Sequence, residues 1–228
     1  MNWLLKRRLL FVGISGGMAL LLGVLLLALA AARAGVPSQG QGSGTIDDFG
    51  AAPAFTLTDQ LERPVRSDMF RGKVVVADFI YTSCTDICPL LSTQMQALQE
   101  RLRQENLLGN QVQLLSFSVD PARDTPAVLR TYAERHKADP DAWRFLTGLE
   151  ETVKPLIVDG FHLGVQALPP PTATHGAHSD SVASGEAYEV MHSGRFALID
   201  QQGHIRTYYD GRELDLERVL RDIRGLLR

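Results

Sequence analysis

An apolar β-branched run, Val74 to Ile80, leads straight into Tyr81-Thr82-Ser83-Cys84-Thr85-Asp86-Ile87-Cys88-Pro89, and a helical pattern begins near Leu90. A run of this kind reads as a strand buried on both faces, which demands a layer above it and another below. The loop after it holds the only two cysteines of the 228 residues, four positions apart. A strand-to-helix junction sets both sulfurs at the positive end of a helix dipole, where thiolates are favoured. In a first helical turn, side chains at i and i+4 have Cβ atoms roughly 5–6 Å apart. That separation lets two thiolates share one metal ion and equally permits a disulfide. Such a bridge would close almost no loop, so it would stabilise the fold little, and a functional dithiol is the better reading.

The rest of the chain supplies the layers. Phe55-Thr56-Leu57-Thr58 alternates as a short strand, with Val65 and Phe70 returning towards it, and Gly72-Lys73 turns into the buried strand Val74–Thr82. Leu91, Met95, Leu98 and Leu102 share one helix face, ending before Gly109. Val112–Val119 is a second central strand, and Asp124-Thr125-Pro126 opens a helix whose stripe is Leu129, Tyr132, Ala133 and His136. Trp143–Leu146 predicts a short strand, and Glu151 to Phe161 a weaker helix interrupted or opened by Pro155. An irregular polar segment runs from Pro169-Pro170-Pro171 to about Glu186. Arg195–Asp200 and His204–Tyr209 flank Gln201-Gln202-Gly203 as a hairpin, and Asp215 caps a last helix facing inward through Leu216, Val219, Leu220, Ile223 and Leu227. The order β-α-β-α-(β)-α-β-β-α describes an α/β, thioredoxin-like domain with a central mixed sheet flanked by helices.

A transmembrane anchor is expected ahead of it. Leu9 to Ala32 are 24 consecutive uncharged residues, long enough as a helix to cross a bilayer of about 30 Å. Lys6, Arg7 and Arg8 place residues 1–8 on the cytoplasmic or matrix side and the bulk of the chain outside. Ala32-Arg33-Ala34 fits a signal-peptidase site, but the run exceeds the roughly 7–15 apolar residues of a signal peptide core. Gly13-x-x-x-Gly17 is too common a pattern in such runs to assign a helix pairing. Residues 33–48 read as a flexible tether and 49–228 as the folded domain, with an insertion at about 169–186. Beyond the first 34 residues stand 19 basic against 26 acidic residues, a net −7 that argues against nucleic acid and suits a basic partner or plain solubility.

Oxidoreductases on this fold usually carry Cys-x-x-Cys, with a cis-proline just before the hairpin facing the sulfurs. This chain has three residues between its cysteines and no proline after Pro171; Val190-Met191-His192-Ser193-Gly194 stands in that place. The fold thus sets a histidine across from the cysteine loop. Two thiolates and an imidazole suit copper, Cu(I) especially, with zinc or a labile third ion also compatible. Alternation points Met191 away from His192's side, towards core packing. Asp86, at the helix start, is expected to cap backbone N–H groups or meet a partner, while Asp120 and Asp124 are expected to scaffold the neighbouring strand end. His175 and His178 belong to the polar insertion, where solvation competes with loose copper capture; His136, His162 and His204 fit helix or strand faces and need no function.

Four linked blocks carry a resemblance. Thr82-x-Cys84-x-Asp86-x-Cys88-Pro89, Ser118-Val119-Asp120-Pro121-x-x-Asp124-Thr125-Pro126, Tyr188-x-Val190-x-His192-Ser193 and Ile199-Asp200-x-x-Gly203 resemble the Sco/SenC copper-chaperone family, in its order and behind the same single anchor. Met191 stands where several members have an acidic residue, and the histidine-containing insertion is extra. The resemblance implies copper ligation by Cys84, Cys88 and His192, as Cu(I) with Cu(II) also open. It also implies delivery to the binuclear copper site of cytochrome c oxidase subunit II, or prior reduction of that site's cysteines, with other copper chaperones as further partners. The chain is then a single-pass protein of the bacterial inner membrane with a periplasmic domain, or of the mitochondrial inner membrane facing the intermembrane space. A thiol-disulfide reductase and a tethered redox sensor are the alternatives that the same dithiol supports.

Overall fold

A computed structural model describes residues 47–163, 165–168, 189–192 and 194–228, with backbone alone for 165–168 and 189–192. The expected anchor, residues 33–46 of the tether, the insertion with His175 and His178, and the side chains of Met191 and His192 lie outside these. Among the described residues no helix is long and apolar enough to cross a membrane.

The elements are β1 (Thr56–Asp59), β2 (Pro64–Arg66), β3 (Val74–Ile80), α1 (Cys88–Gln104), β4 (Val112–Ser118), α2 (Pro126–Arg135), β5 (Trp143–Thr147), α3 (Glu150–Pro155), β6 (Val165–Leu168), β7 (Glu189–His192), β8 (Arg195–Ile199), β9 (Ile205–Asp210) and α4 (Leu216–Leu226). Seven strands form one mixed sheet, β2-β1-β5-β4-β3-β8-β9. β3, β4 and β5 are parallel; β8 lies antiparallel on the far side of β3, and β1 antiparallel on β5. This is the expected thioredoxin-like arrangement, with β6 and β7 added as a separate antiparallel pair. The extended run at Met191 and His192 was read in the sequence, but its pairing with β6 across the long polar insertion was not. The weak helix ends at Pro155 and continues as one π turn, Leu156–Gly160.

Crossovers between parallel neighbours are right-handed, so α1 and α2 cover the same face of the sheet. Leu91, Met95, Leu98 and Leu102 are fully buried there, and Tyr132 of α2 shares a hydrogen bond with Ser92 of α1 (2.8 Å). Pro126 starts α2, with the Thr125 side chain accepting from the Val128 amide; the Asp215 side chain does the same for α4. α4 rides beside α1, tied by Arg224 to Glu105 and by Arg101 to Glu217. The opposite face carries an aromatic layer in which Phe79 stacks on Phe117 and both meet Phe161. Among the described residues, α3, the π turn and the segment entering β1 lie on that side.

Candidate metal centre

Both cysteines lie at the C-terminal edge of the parallel strands, the edge where α/β sheets hold their ligands. They straddle the start of α1 rather than sharing its first turn: Cys88 is its first residue, and Cys84 closes a turn by donating its amide to the Tyr81 carbonyl (3.2 Å). The Cys88 amide, one of the unpaired donors that open every helix, points at Cys84 Sγ (3.4 Å). Neither residue is in a disulfide; Cys84 is 8% exposed and Cys88 fully buried. The expectation of thiolates favoured at the helix start is corrected for Cys88. Its hydrogen bond with Cys84 and its burial together push that thiol far up.

The loop is held from below by a carboxylate. Asp124, completely buried, accepts from the Thr82 amide (3.2 Å), the Thr82 hydroxyl (2.5 Å) and the Ser118 hydroxyl (2.6 Å). Burial raises its pKa, against which those three donors work. Asp120 pairs with Arg123, and its carbonyl receives the Asp124 amide. Both aspartates thus occupy the scaffold positions expected of them. Asp86 does not cap the helix: α1 has no side-chain cap, its N-cap residue is Ile87, and the exposed Asp86 lies 3.8 Å from Arg212. One residue too early for capping, it bridges instead to the loop after β9.

His192 ends β7, where it is paired with Val165, and three residues later the chain enters β8. β8 runs against β3 with Asp78 level with Phe196, a register that, extended by two residues, sets Gly194 beside Ile80 at the head of the cysteine loop. The contacts agree. A Cβ on Gly194, which has φ +58°, would lie 3.4 Å from Cγ1 of Ile87, between the cysteines. The Gly194 carbonyl accepts from the Gly211 amide (2.8 Å), and Gly211 lies so close to α1 that a Cβ there would stand 2.0 Å from Leu91 Cδ2. Two glycines therefore let the segment after His192 and the loop after β9 close onto the start of α1. Among the described residues no three Cys, His, Asp or Glu side chains form a metal cluster, the His192 side chain lying outside them.

One residue of the centre went unread in the sequence. Asp78 sits in the middle of β3, fully buried, and neither carboxylate oxygen has a hydrogen-bond partner. Burial pushes its pKa up to about 7; Ser116, level with it on β4, draws the value down somewhat without meeting hydrogen-bond geometry. Its charge bears on Cys88 and Tyr132, so it lies beneath the dithiol, between sheet and helices. The signal was a lone acidic residue inside an otherwise apolar strand. The remaining histidines do not sit on regular faces throughout. His136 follows the last residue of α2, its ring tilted against Tyr132; His162 lies in the loop after the π turn with φ +55°; and His204, in the turn after β8, meets Asp48.

A family model for SCO1/SenC matches residues 44–228. The chain is 31% identical over 160 residues to the SCO1 protein homolog of Bacillus subtilis, covering 70% of this chain and 73% of that protein. It is 34% identical over 175 residues to a putative copper-binding protein of Stutzerimonas stutzeri, covering 76% of each. Among solved structures, a SCO1/SenC family lipoprotein from Bacillus anthracis superposes with a TM-score of 0.65 at 29% identity, over 83% of this chain and all of that one.

Proposed function

The chain belongs to the SCO1/SenC family, and on that premise we propose that it is a membrane-anchored copper chaperone that holds copper through Cys84, Cys88 and His192. Its recipient is the binuclear copper site of cytochrome c oxidase, in subunit II, as the motif resemblance implies. Residues 9–32 anchor it, residues 33–48 give it reach, and the domain works on the periplasmic or intermembrane-space side. The observation that carries the reading is the packing of Gly194 against Ile87, which brings the end of β7 to the cysteine loop. The 34% identity to the Stutzerimonas stutzeri protein named as a putative copper-binding protein adds support.

The chemistry follows from the ligand types. Thiolates and an imidazole favour Cu(I), and three donors leave a side open to an incoming ligand before an old one departs. Copper must displace the Cys88 proton, so loading releases acid and weakens as pH falls. The second reading is reduction of target cysteines, favoured by two thiols not joined in a disulfide, four residues apart, with the Cys88 amide on Cys84 Sγ.

The test is anaerobic titration of the reduced protein with Cu(I), expected to bind one equivalent. His192→Ala should weaken binding by roughly tenfold or more, as loss of one of three ligands, with unchanged circular dichroism. Equal affinity in that variant would remove the histidine from the ligand set. Disulfide turnover that survives His192→Ala would favour the reductase.

A further inference from the structure

Copper held at the cysteine loop would be deeply seated, since Cys88 is fully buried and Cys84 is 8% exposed. An acceptor that takes the metal by ligand exchange must bring its own donor atom to bonding distance. It therefore has to press on the residues that rim the loop. Those residues are open: Thr85, Asp86, Pro89 and Leu90 are exposed on either side of the buried Ile87 and Cys88.

Two large apolar side chains are left open there, Leu90 at 41% and Val128 at 40% exposed. They stand in the first turns of α1 and α2. The hydrogen bond between Ser92 and Tyr132 sets these helices side by side. Four residues nearer the helix starts, in the same rows, come Cys88 and Val128, so Val128 lies level with the inner cysteine. Pro89 and Leu90 extend the apolar surface around the start of α1. The charges beside it are answered within the chain. Between 81 and 90 the only charged residue is Asp86, which meets Arg212 at 3.8 Å. Between 118 and 129, Asp120 pairs with Arg123, and Asp124 is buried on its amide and hydroxyl donors. The rim thus presents apolar surface with paired charges, on a domain with 19 basic against 26 acidic residues.

We propose that Pro89, Leu90 and Val128 are the docking surface for the copper acceptor, and that they seat an apolar rim around the acceptor's own metal site; this rests on the copper-chaperone reading above. Apolar contact beside the loop holds the two metal sites together during exchange without adding a competing ligand. A patch this small suits a short-lived complex that must release its partner.

The experiment uses the full chain in phosphatidylcholine nanodiscs, loaded with one Cu(I). The acceptor is the reduced, copper-free soluble domain of cytochrome c oxidase subunit II, and its copper is read by elemental analysis after rapid separation. Leu90→Gln and Val128→Gln should each slow transfer roughly threefold to eightfold, the share of side-chain burial still open to gain. Leu61→Gln alters a comparably exposed leucine in the turn after β1, at the other end of the sheet, and should leave the rate unchanged. Raising salt from about 50 to about 300 mM should change the parent rate less than about threefold, because apolar contact is not screened. Copper extraction by glutathione should be the same in all variants, which separates docking from metal holding. Transfer by Leu90→Gln and Val128→Gln at the parent rate would overturn the proposal. A rate that salt collapses while both variants leave it untouched would do so too, by making the docking electrostatic. So would glutathione extraction altered in step with transfer, which would place the effect at the metal site. A parent protein that holds one Cu(I) and passes none to this acceptor would remove the recipient of the chaperone reading, and this proposal with it.

Discussion

Asp78→Asn should abolish a pH dependence of stability that one residue creates. The carboxyl is buried without a hydrogen-bond partner and its pKa is pushed up to about 7 from 3.8. The folded state therefore binds this proton more tightly than the unfolded state. Stability from this source is fully present below the unfolded value and is lost as pH rises through about 7. Just over three pH units at 1.36 kcal/mol each amount to about 4 kcal/mol, of which roughly 2–3 kcal/mol falls between pH 5 and pH 8. Cys88 and Tyr132, which Asp78 faces, are both pushed up and stay neutral over that range. A Cys84→Ser background takes the remaining thiol out of the comparison. The assay is urea unfolding of residues 44–228 at pH 5 and pH 8, with asparagine and aspartate compared at each pH, so that all other titrations cancel. The aspartate protein should lose about 2–3 kcal/mol more than the asparagine variant on going to pH 8. Parallel changes, within about 0.5 kcal/mol, would refute the placement of an unpaired carboxyl beneath the dithiol.

Other outcomes follow from the same contacts. Gly211→Ala puts a Cβ 2.0 Å from Leu91 Cδ2 and 2.6 Å from the Gly194 carbonyl; it should cost about 1–3 kcal/mol in unfolding and weaken Cu(I) binding in the titration above. Asp124→Ala strands the Thr82 amide and the Ser118 hydroxyl; chemical denaturation should show a loss of about 2–4 kcal/mol. In the reduced apo protein, iodoacetamide labelling read by mass spectrometry should modify Cys84 roughly tenfold faster than Cys88, because only Cys84 has any exposure. Equal labelling would contradict the raised Cys88 thiol.

What could be read without coordinates was whatever local chemistry decides. The helix face from Leu91 to Leu102, the Thr125-Pro126 start, the Asp215 cap and the central strands all follow from side-chain period or capping, and each stands where expected. Both halves of the centre were legible too, as sequence blocks. The fold class also led to the expectation that they meet; what could not be read is how, because that depends on β8 taking the open side of β3 and on two glycines permitting close approach. Asp78 was overlooked because six apolar neighbours in β3 outweigh one charge in any pattern count. The Asp86 cap failed by one residue: the helix began at Cys88, beyond the reach of a side chain placed two positions earlier. The pairing of β6 with β7 was not legible, because a long polar insertion separates the two strands.

The position of β3 between β4 and β8 has a consequence for how the protein is made. Synthesis delivers the dithiol early, with its strand and helix, but the neighbour that walls in the other side of β3 emerges near the end of the chain. Until that late ribbon inserts, the proposed third donor has no fixed place beside the sulfurs. Metal capture would then act as a completeness check: a chain translated through β9 and folded shut would hold its cargo with all three donors, and prematurely ended copies would hold it less tightly.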